Sequence, residues 1–355
     1  MTDQSMRGLI AALDRAGDLR RITQPVDPRF EVSAILGLRD RGQAQLFERV
    51  LDHSIPVIGN LFVDRARFAR ALGTQRDALP GFCLAALHDP IAPRLVPNAP
   101  VQETIHRGPL DLGTLLPVPH WFEREAAPYI TAGVIVAKDP DTGRRNVSIA
   151  RLRLEGGTRL MAGIARNHHL YILAEKARSR GRDLEIAVAI GNHAAILLGS
   201  QMYVGLGDDE FDIAGGLLGE PVELVKCLTV DLEIPAHAEI VLEGRLRPDD
   251  LIDEGPVSEF PGFYVNYGPG IAAEISCVTH RRDAIYQAIL PGYAAEHCLL
   301  GALAIETTLT RDLQRSIPSV RRVVVTEGGM GRLHAVIAMH RPRLGSRWGW
   351  STFSS

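Results

Sequence analysis

The stretch ITAGVIVAKDPDTGRRNVSIARLRL, residues 130–154, holds two runs rich in Val, Ile and Leu on either side of DPDTG. Asp, Pro, Thr and Gly in succession suit a tight reversal, so the segment predicts two β-strands joined as a hairpin. Downstream, LEIAVAIG (184–191), VELVKCLTVDL (222–232), AEIVLEGRL (238–246) and IAAEISCVTH (271–280) read as further strands with Gly, Pro and Asp at the bends. HHLYILAEKARSR (168–180) interrupts them as a helix, with Asn167 as its expected cap. A mostly antiparallel barrel with inserted helices follows from this pattern. Upstream, the helical period of MRGLIAAL gives way to PVIGNLFV (56–63), read as a buried strand, and then to a helix over 65–72, a small α/β unit. The proline-rich LHDPIAPRLVPNAPVQ and LLPVPHWFEREAAPY make long helices unfavourable and mark a domain boundary. After Leu299 helix and strand alternate again, through RRVVVTEGG and HAVIAM, before RPRLGSRWGWSTFSS (341–355), which has neither period and reads as a tail.

Composition narrows the function classes. A net charge of -3 gives no bulk attraction to nucleic acid or an anionic membrane. Cys83, Cys227, Cys277 and Cys298 form no CxxC pair, which argues against zinc-ribbon and thioredoxin-type chemistry and suits a reducing compartment. The first residues carry Asp and Arg within their apolar pattern, as an amphipathic helix does and a signal peptide does not. No apolar run is long enough to span a bilayer. A cytoplasmic protein is expected. The sequence also lacks GxxxxGK[ST], a GxGxxG after a strand, HExxH and GxSxG.

What remains is a set of polar residues in otherwise apolar, strand-rich sequence. In NVSIAR (146–151) alternation puts Asn146, Ser148 and Ala150 on one face and Val147, Ile149 and Arg151 on the other. An arginine inside such a strand either faces solvent or needs an acceptor, because an unpaired buried guanidinium is costly. His168 and His169 open a helix, where free N–H groups favour an anion and an imidazole can bind metal or simply cap. GDDE (207–210), ahead of an AGG turn, offers oxygen ligands to a hard cation or is merely solvated. EGPVSE (254–259) sets two acids about a Gly-Pro turn, a solvated bend or a pair aimed at one pocket.

In their order and spacing, NVSIAR, the His169 helix, GDDE with AGGLLG, ELVKC, PAHAEIVLEG and EGPVSE resemble the UbiD family of reversible decarboxylases that use prenylated FMN. The resemblance begins near the N-terminus, in VDPRFEVSAIL and PVIGNLFVDRARFARALG, and runs to about Met339. It implies an α+β fold: an N-terminal α/β domain (1–105), a central flavin-reductase-like split β-barrel that binds prenylated FMN (106–298), and a C-terminal α/β unit with an irregular tail (299–355). It implies that Asn146, His169 and Glu210 hold Mn²⁺ against the cofactor phosphate, a mixed nitrogen and oxygen set that manganese accepts. Ser148, Ile149, Ala150 and Arg151 then line the flavin, and His168 and Met202 make further cofactor or K⁺ contacts. Arg151, Glu254 and Glu259 match the catalytic Glu–Arg–Glu network, in which Glu254 satisfies Arg151 and Glu259 moves a proton. The implied substrate is an aromatic or α,β-unsaturated carboxylic acid. A flavin prenyltransferase would supply the cofactor, and the protein would be a homo-oligomer.

The resemblance is incomplete in two places. Family members usually carry Phe and Gly between the two glutamates, where this chain has Val257 and Ser258. Family members also continue through a C-terminal segment with a basic phosphate contact, part of the pocket wall and an association helix, so the C-terminal unit is expected to be shortened. Two rival readings stay open: a catalytically impaired flavin-binding or scaffold relative, and an ordinary FMN oxidoreductase on a split barrel, which would not need Glu254 and Glu259.

Overall fold

The computed structural model describes residues 3–340; the expected tail at 341–355 lies outside the described residues. The hairpin forms as the sequence predicts. Val134–Lys138 pairs antiparallel with Arg145–Ile149, from Val134 opposite Ile149 to Lys138 opposite Arg145. Asp139 closes the turn, accepting from the Asp141 amide through its side chain at 2.8 Å and from the Gly143 amide through its carbonyl at 2.8 Å. Both faces of the first strand are buried: Val134 and Val136 in one core, Ile135 and Ala137 in another. That is why the run is apolar throughout and does not alternate.

This hairpin ends a nine-stranded antiparallel sheet. From Arg145–Ile149 the strands follow in the order Val134–Lys138, Leu184–Ile190, Ile240–Asp253, Pro269–His280, Arg159–Gly163, Arg151–Gly156 and Tyr129–Ile130, with Thr104–Arg107 pairing beside Pro269–His280. Among the described residues the two end strands do not pair, so the barrel is split. NVSIAR is therefore not one strand. The ladder of Arg145–Ile149 stops at Ile149, and the chain crosses the gap at Ala150 to start Arg151–Gly156, which pairs with Arg159–Gly163 and Tyr129–Ile130. The expected two-faced alternation fails there because the hydrogen-bonding partners change.

A four-stranded sheet holds Leu19–Ile22, Ala44–Phe47, Val57–Gly59 and, from much later in the chain, Tyr286–Gln287. PVIGNLFV thus supplies only a three-residue strand, and Asp64 caps the helix Arg65–Ala71 by accepting from the Ala66 and Arg67 amides. Glu223–Lys226 joins Glu233–Pro235 and Arg94–Leu95 in a separate small sheet. The C-terminal unit packs the helix Ala295–Ser316 on the strand Val320–Val325, which pairs antiparallel with the exposed strand Ala335–Met339.

Two local expectations are corrected. The helix Glu210–Leu218 runs straight through AGG, with Asp209 as cap. Gly215 is there for close approach: a Cβ would lie 2.2 Å from the Ile91 carbonyl oxygen. The helix His169–Ser179 is capped by His168, whose ring accepts from the Leu170 amide at 3.4 Å, and not by Asn167.

Candidate functional site

The gap in the split barrel is where the polar residues collect. Arg151 is the first residue beyond the crossing, and Glu254 follows the last residue of the long strand Ile240–Asp253. The two form a bidentate pair: Arg151 Nε donates to Glu254 Oε1 at 2.5 Å and an Nη to Oε2 at 2.6 Å. The Glu254 side chain is 1% exposed and that of Arg151 28%. Two strand positions on, Arg153 donates to the carbonyl oxygens of Asp253 and Glu254, fixing the backbone from which Glu254 projects. Gly163 sits across the ladder from Arg151. A Cβ there would lie 2.8 Å from Arg151 Nε and 2.9 Å from Glu254 Oε1, so the ion pair lies flat against bare backbone.

Beyond the Gly255-Pro256 turn, Val257–Ser258 pairs with Tyr264–Val265, and Glu259 follows. Its carboxylate accepts from its neighbour Phe260 amide at 2.9 Å and from the Tyr267 hydroxyl at 2.8 Å. The Tyr267 ring in turn lies under Arg151, whose guanidinium carbon is 4.9 Å from the ring centroid. Burial and the bond to Glu259 push the Tyr267 hydroxyl up to about 12, so it stays a donor at neutral pH. Arg151, Glu254, Tyr267 and Glu259 are thus linked contact by contact.

A third acid joins them. Glu125, 4% exposed, accepts from the Ser258 amide at 3.2 Å and the Phe122 amide at 3.3 Å. Burial pushes its carboxyl up to about 7, the two amides oppose that rise, and Glu254 adds to it. A folded-state value above the ordinary 4.5 gives stability that is full below pH 4.5 and is lost as pH rises through 7. We therefore expect Glu125→Gln, which cannot ionise, to gain relative to wild type by about 1–3 kcal/mol between pH 5 and pH 8, since one pKa unit corresponds to about 1.4 kcal/mol. Urea melts at the two pH values check this; an unchanged difference contradicts it.

Arg151 and Glu259 face a common cavity of about 270 Å³ whose wall also includes Ile149, Ala150, His168 and Ser258. Burial and neighbouring His169 hold the His168 imidazole below its ordinary value. Next to this wall lies a second polar cluster. The Glu210 carboxylate accepts from Asn146 Nδ2 at 3.0 Å and from the Val147 amide at 2.7 Å. Burial pushes Glu210 up to about 8, which marks a carboxyl that calls for a proton or a cation beside it. Asn146 Oδ1 and Ser148 Oγ are buried with no partner. The helices that begin at His169 and Glu210 both pack on the strand carrying Asn146. Two unspent oxygens beside a buried acid fit an oxygen-preferring cation and a polar cofactor group. Among the described residues no three His, Cys, Asp or Glu side chains cluster as a metal site, so such a cation would depend on the Asn146 oxygen. Met202 is buried in the core, while its neighbour Gln201 reaches the cavity wall.

The sequence reading missed Glu125, Tyr267, His297 and Arg332, of which the last two also line the cavity. Glu125 lies among three charges in a proline-rich stretch, and Arg332 follows a glycine-rich turn; neither has a spacing that singles it out.

Comparisons with known proteins bear on this arrangement. Residues 94–294 match the family model described as the 3-octaprenyl-4-hydroxybenzoate carboxy-lyase Rift-related domain, and residues 10–82 match that of the N-terminal domain of the same enzymes. The chain is 36% identical over 332 residues to the anhydromevalonate phosphate decarboxylase of Methanothermobacter thermautotrophicus, covering 93% of this chain and 76% of that one. The structure of an evolved dimeric form of the UbiD-class enzyme HmfF from Pelotomaculum thermopropionicum, in complex with prFMN, superposes with a TM-score of 0.93 at 43% identity, covering 97% of this chain and 80% of that one. The vanillic acid decarboxylase of Sedimentibacter hydroxybenzoicus in its closed form superposes with a TM-score of 0.90 at 25% identity, covering 96% and 75%. Among the described residues no helix is long and apolar enough to cross a membrane. With both family models matched in order along one chain and decarboxylases among its relatives, this protein belongs to the UbiD family of decarboxylases.

Proposed function

We propose that the protein catalyses reversible, non-oxidative decarboxylation of an aromatic or α,β-unsaturated carboxylic acid with prenylated FMN. The observation that carries this reading is the joint presentation of Arg151, paired with Glu254, and of Glu259 to one cavity. A prenylated FMN bound there supplies the electron sink that no side chain provides when carbon loses CO₂. The chain's own residues do the rest. Glu254 takes two of the three Arg151 nitrogens, and the remaining one receives the substrate carboxylate. Glu254 also keeps that guanidinium oriented, so the substrate is fixed before reaction. Glu259, held at both oxygens by Phe260 and Tyr267, delivers a proton to the carbon that CO₂ leaves and takes it back in the reverse direction.

In this reading Asn146, His169 and Glu210 hold Mn²⁺ for the cofactor phosphate. Ser148, Ile149 and Ala150 flank the flavin; of the two residues the resemblance assigns to further cofactor or K⁺ contacts, His168 lines the cavity and the Met202 side chain is buried in the core. The unpartnered Asn146 Oδ1 and Ser148 Oγ support this assignment. The cofactor-binding unit falls within residues 106–298, apart from Tyr286–Gln287, which pairs into the sheet of the N-terminal unit; a flavin prenyltransferase supplies the cofactor, and the working form is a cytoplasmic homo-oligomer.

The test is co-expression with a flavin prenyltransferase, followed by the visible spectrum and assays of CO₂ release from cinnamate-like and hydroxybenzoate-like acids. A prenyl-flavin band with CO₂ release supports the reading. Unmodified FMN reduced by NAD(P)H favours the oxidoreductase, and inert protein after reconstitution with cofactor, Mn²⁺ and K⁺ favours the impaired relative. Asn146→Ala and His169→Ala are each expected to lose bound metal and flavin together, read by elemental analysis and absorbance on folded protein. Retention of both at wild-type stoichiometry contradicts the assignment.

A further inference from the structure

We propose that the cavity contains a second anion subsite built on Arg332, so that the acid it takes carries another negative group, a carboxylate or a phosphate, besides the carboxylate that is lost. This rests on the decarboxylase reading above and names its substrate class.

Arg332 lines the same cavity as Arg151 and Glu259. It reaches the wall from the turn that follows Glu327–Gly329, and its guanidinium packs against the helix Ala295–Ser316 at Gly301. A Cβ on Gly301 would lie 2.5 Å from an Arg332 nitrogen, so this helix position is left bare for the arginine to enter. On its other side the guanidinium carbon lies 5.2 Å from the Phe260 ring centroid, beside Glu259.

Charge pairing distinguishes Arg332 from its neighbours. Arg65 is paired with Glu306 of the same helix at 2.5 Å, and Arg41 with Glu327 at 2.6 Å. Arg151 is neutralised by Glu254. Glu259 is already held by a backbone amide and a hydroxyl. Among the described residues the Arg332 side chain makes no ion pair and no hydrogen bond to a protein acceptor, and it lines the cavity. A guanidinium in a concave site with its fork unused is suited to bidentate binding of a carboxylate or phosphate. His297 is next to it on the wall, its Nδ1 directed at the Gly292 carbonyl at 2.8 Å, which leaves Nε2 for a ligand. The wall thus presents one cation, Arg151, already matched by the protein and a second, Arg332, that is not.

The test uses full-length protein co-expressed with the prenyltransferase. Benzoate, terephthalate and 4-phosphooxybenzoate are titrated against the bound flavin by fluorescence, with CO₂ release from a cinnamate-like monoacid measured in parallel. Wild type is expected to bind at least one dianion about tenfold or more tighter than benzoate, about 1.4 kcal/mol. Arg332→Gln should collapse the preference to about twofold or less, and Arg332→Lys should restore part of it, because a cation without the fork keeps charge but not bidentate geometry. Preference for terephthalate alone assigns a carboxylate, and for the phosphate ester alone a phosphate. Equal binding of mono- and dianions by wild type that still releases CO₂ from the monoacid overturns the subsite and leaves the decarboxylase reading intact. Loss of flavin from both Arg332 variants makes Arg332 a cofactor contact and overturns the subsite. No binding of any acid and no CO₂ release overturn both readings.

Discussion

Glu259→Gln is expected to abolish decarboxylation while leaving the visible spectrum and the stoichiometry of bound flavin unchanged. The amide keeps the size of the side chain and can still accept from the Phe260 amide or the Tyr267 hydroxyl, which hold the carboxylate at 2.9 and 2.8 Å. It has no proton to give. A positioned general acid contributes about 10²–10⁴-fold to rate, and kcat should fall by that amount with little change in KM. A comparable fall in bound-flavin stoichiometry would instead mean that Glu259 supports cofactor binding. Retention of more than about a tenth of wild-type kcat contradicts the role, because water or another residue would then serve as the acid.

Glu254→Leu is expected to cost about 3 kcal/mol of stability as well as activity. The change leaves the Arg151 charge without its bidentate acceptor, and breaking a buried pair from one side typically costs about 3–5 kcal/mol. The lower end applies because the Arg151 side chain is 28% exposed and water can replace part of the lost bond. Arg151→Met should be comparably destabilising, since it strands the Glu254 carboxylate, whose side chain is 1% exposed. The double variant Arg151→Met/Glu254→Leu should recover most of the stability, because an apolar pair of similar volume often replaces a buried ion pair at little cost. It should recover none of the activity. Urea midpoints and kcat for the four proteins check the pattern. Additive losses in the double variant would show that the two side chains do not act on stability as a pair.

The account depends on a sheet that was largely legible in the sequence and on a crossing that was not. The hairpin at 130–154 could be read because apolar runs and a DPDTG turn are local signals. The break at Ala150 could not, because Asn146-Val147-Ser148-Ile149-Ala150-Arg151 alternates as smoothly as a continuous strand; only the change of ladder partner ends it. His168 rather than Asn167 caps the next helix because the imidazole, not the amide, accepts from Leu170. The AGG segment reads as a turn by propensity, yet it is helical because its glycines admit the backbone at Ile91. The pairing of Arg151 with Glu254 was implied by the family resemblance; the cost of burying a lone guanidinium says only that Arg151 needs solvent or an acceptor, without naming which. Glu125, Tyr267 and Arg332 depend on contacts between distant segments, such as the Glu125 bond to Ser258 and the stacking of Arg332 on Phe260, and no local pattern encodes those.

The central claim is that one flavin site is formed where Arg151, Glu254 and Glu259 meet. The most direct measurement is a crystal structure of the protein purified with prenylated FMN bound. The account predicts the flavin ring against Ile149–Arg151 within reach of Glu259, with its phosphate towards Asn146 and Glu210. A flavin bound elsewhere, or with Arg151 and Glu259 both out of contact with its ring and with a bound acid, would contradict it.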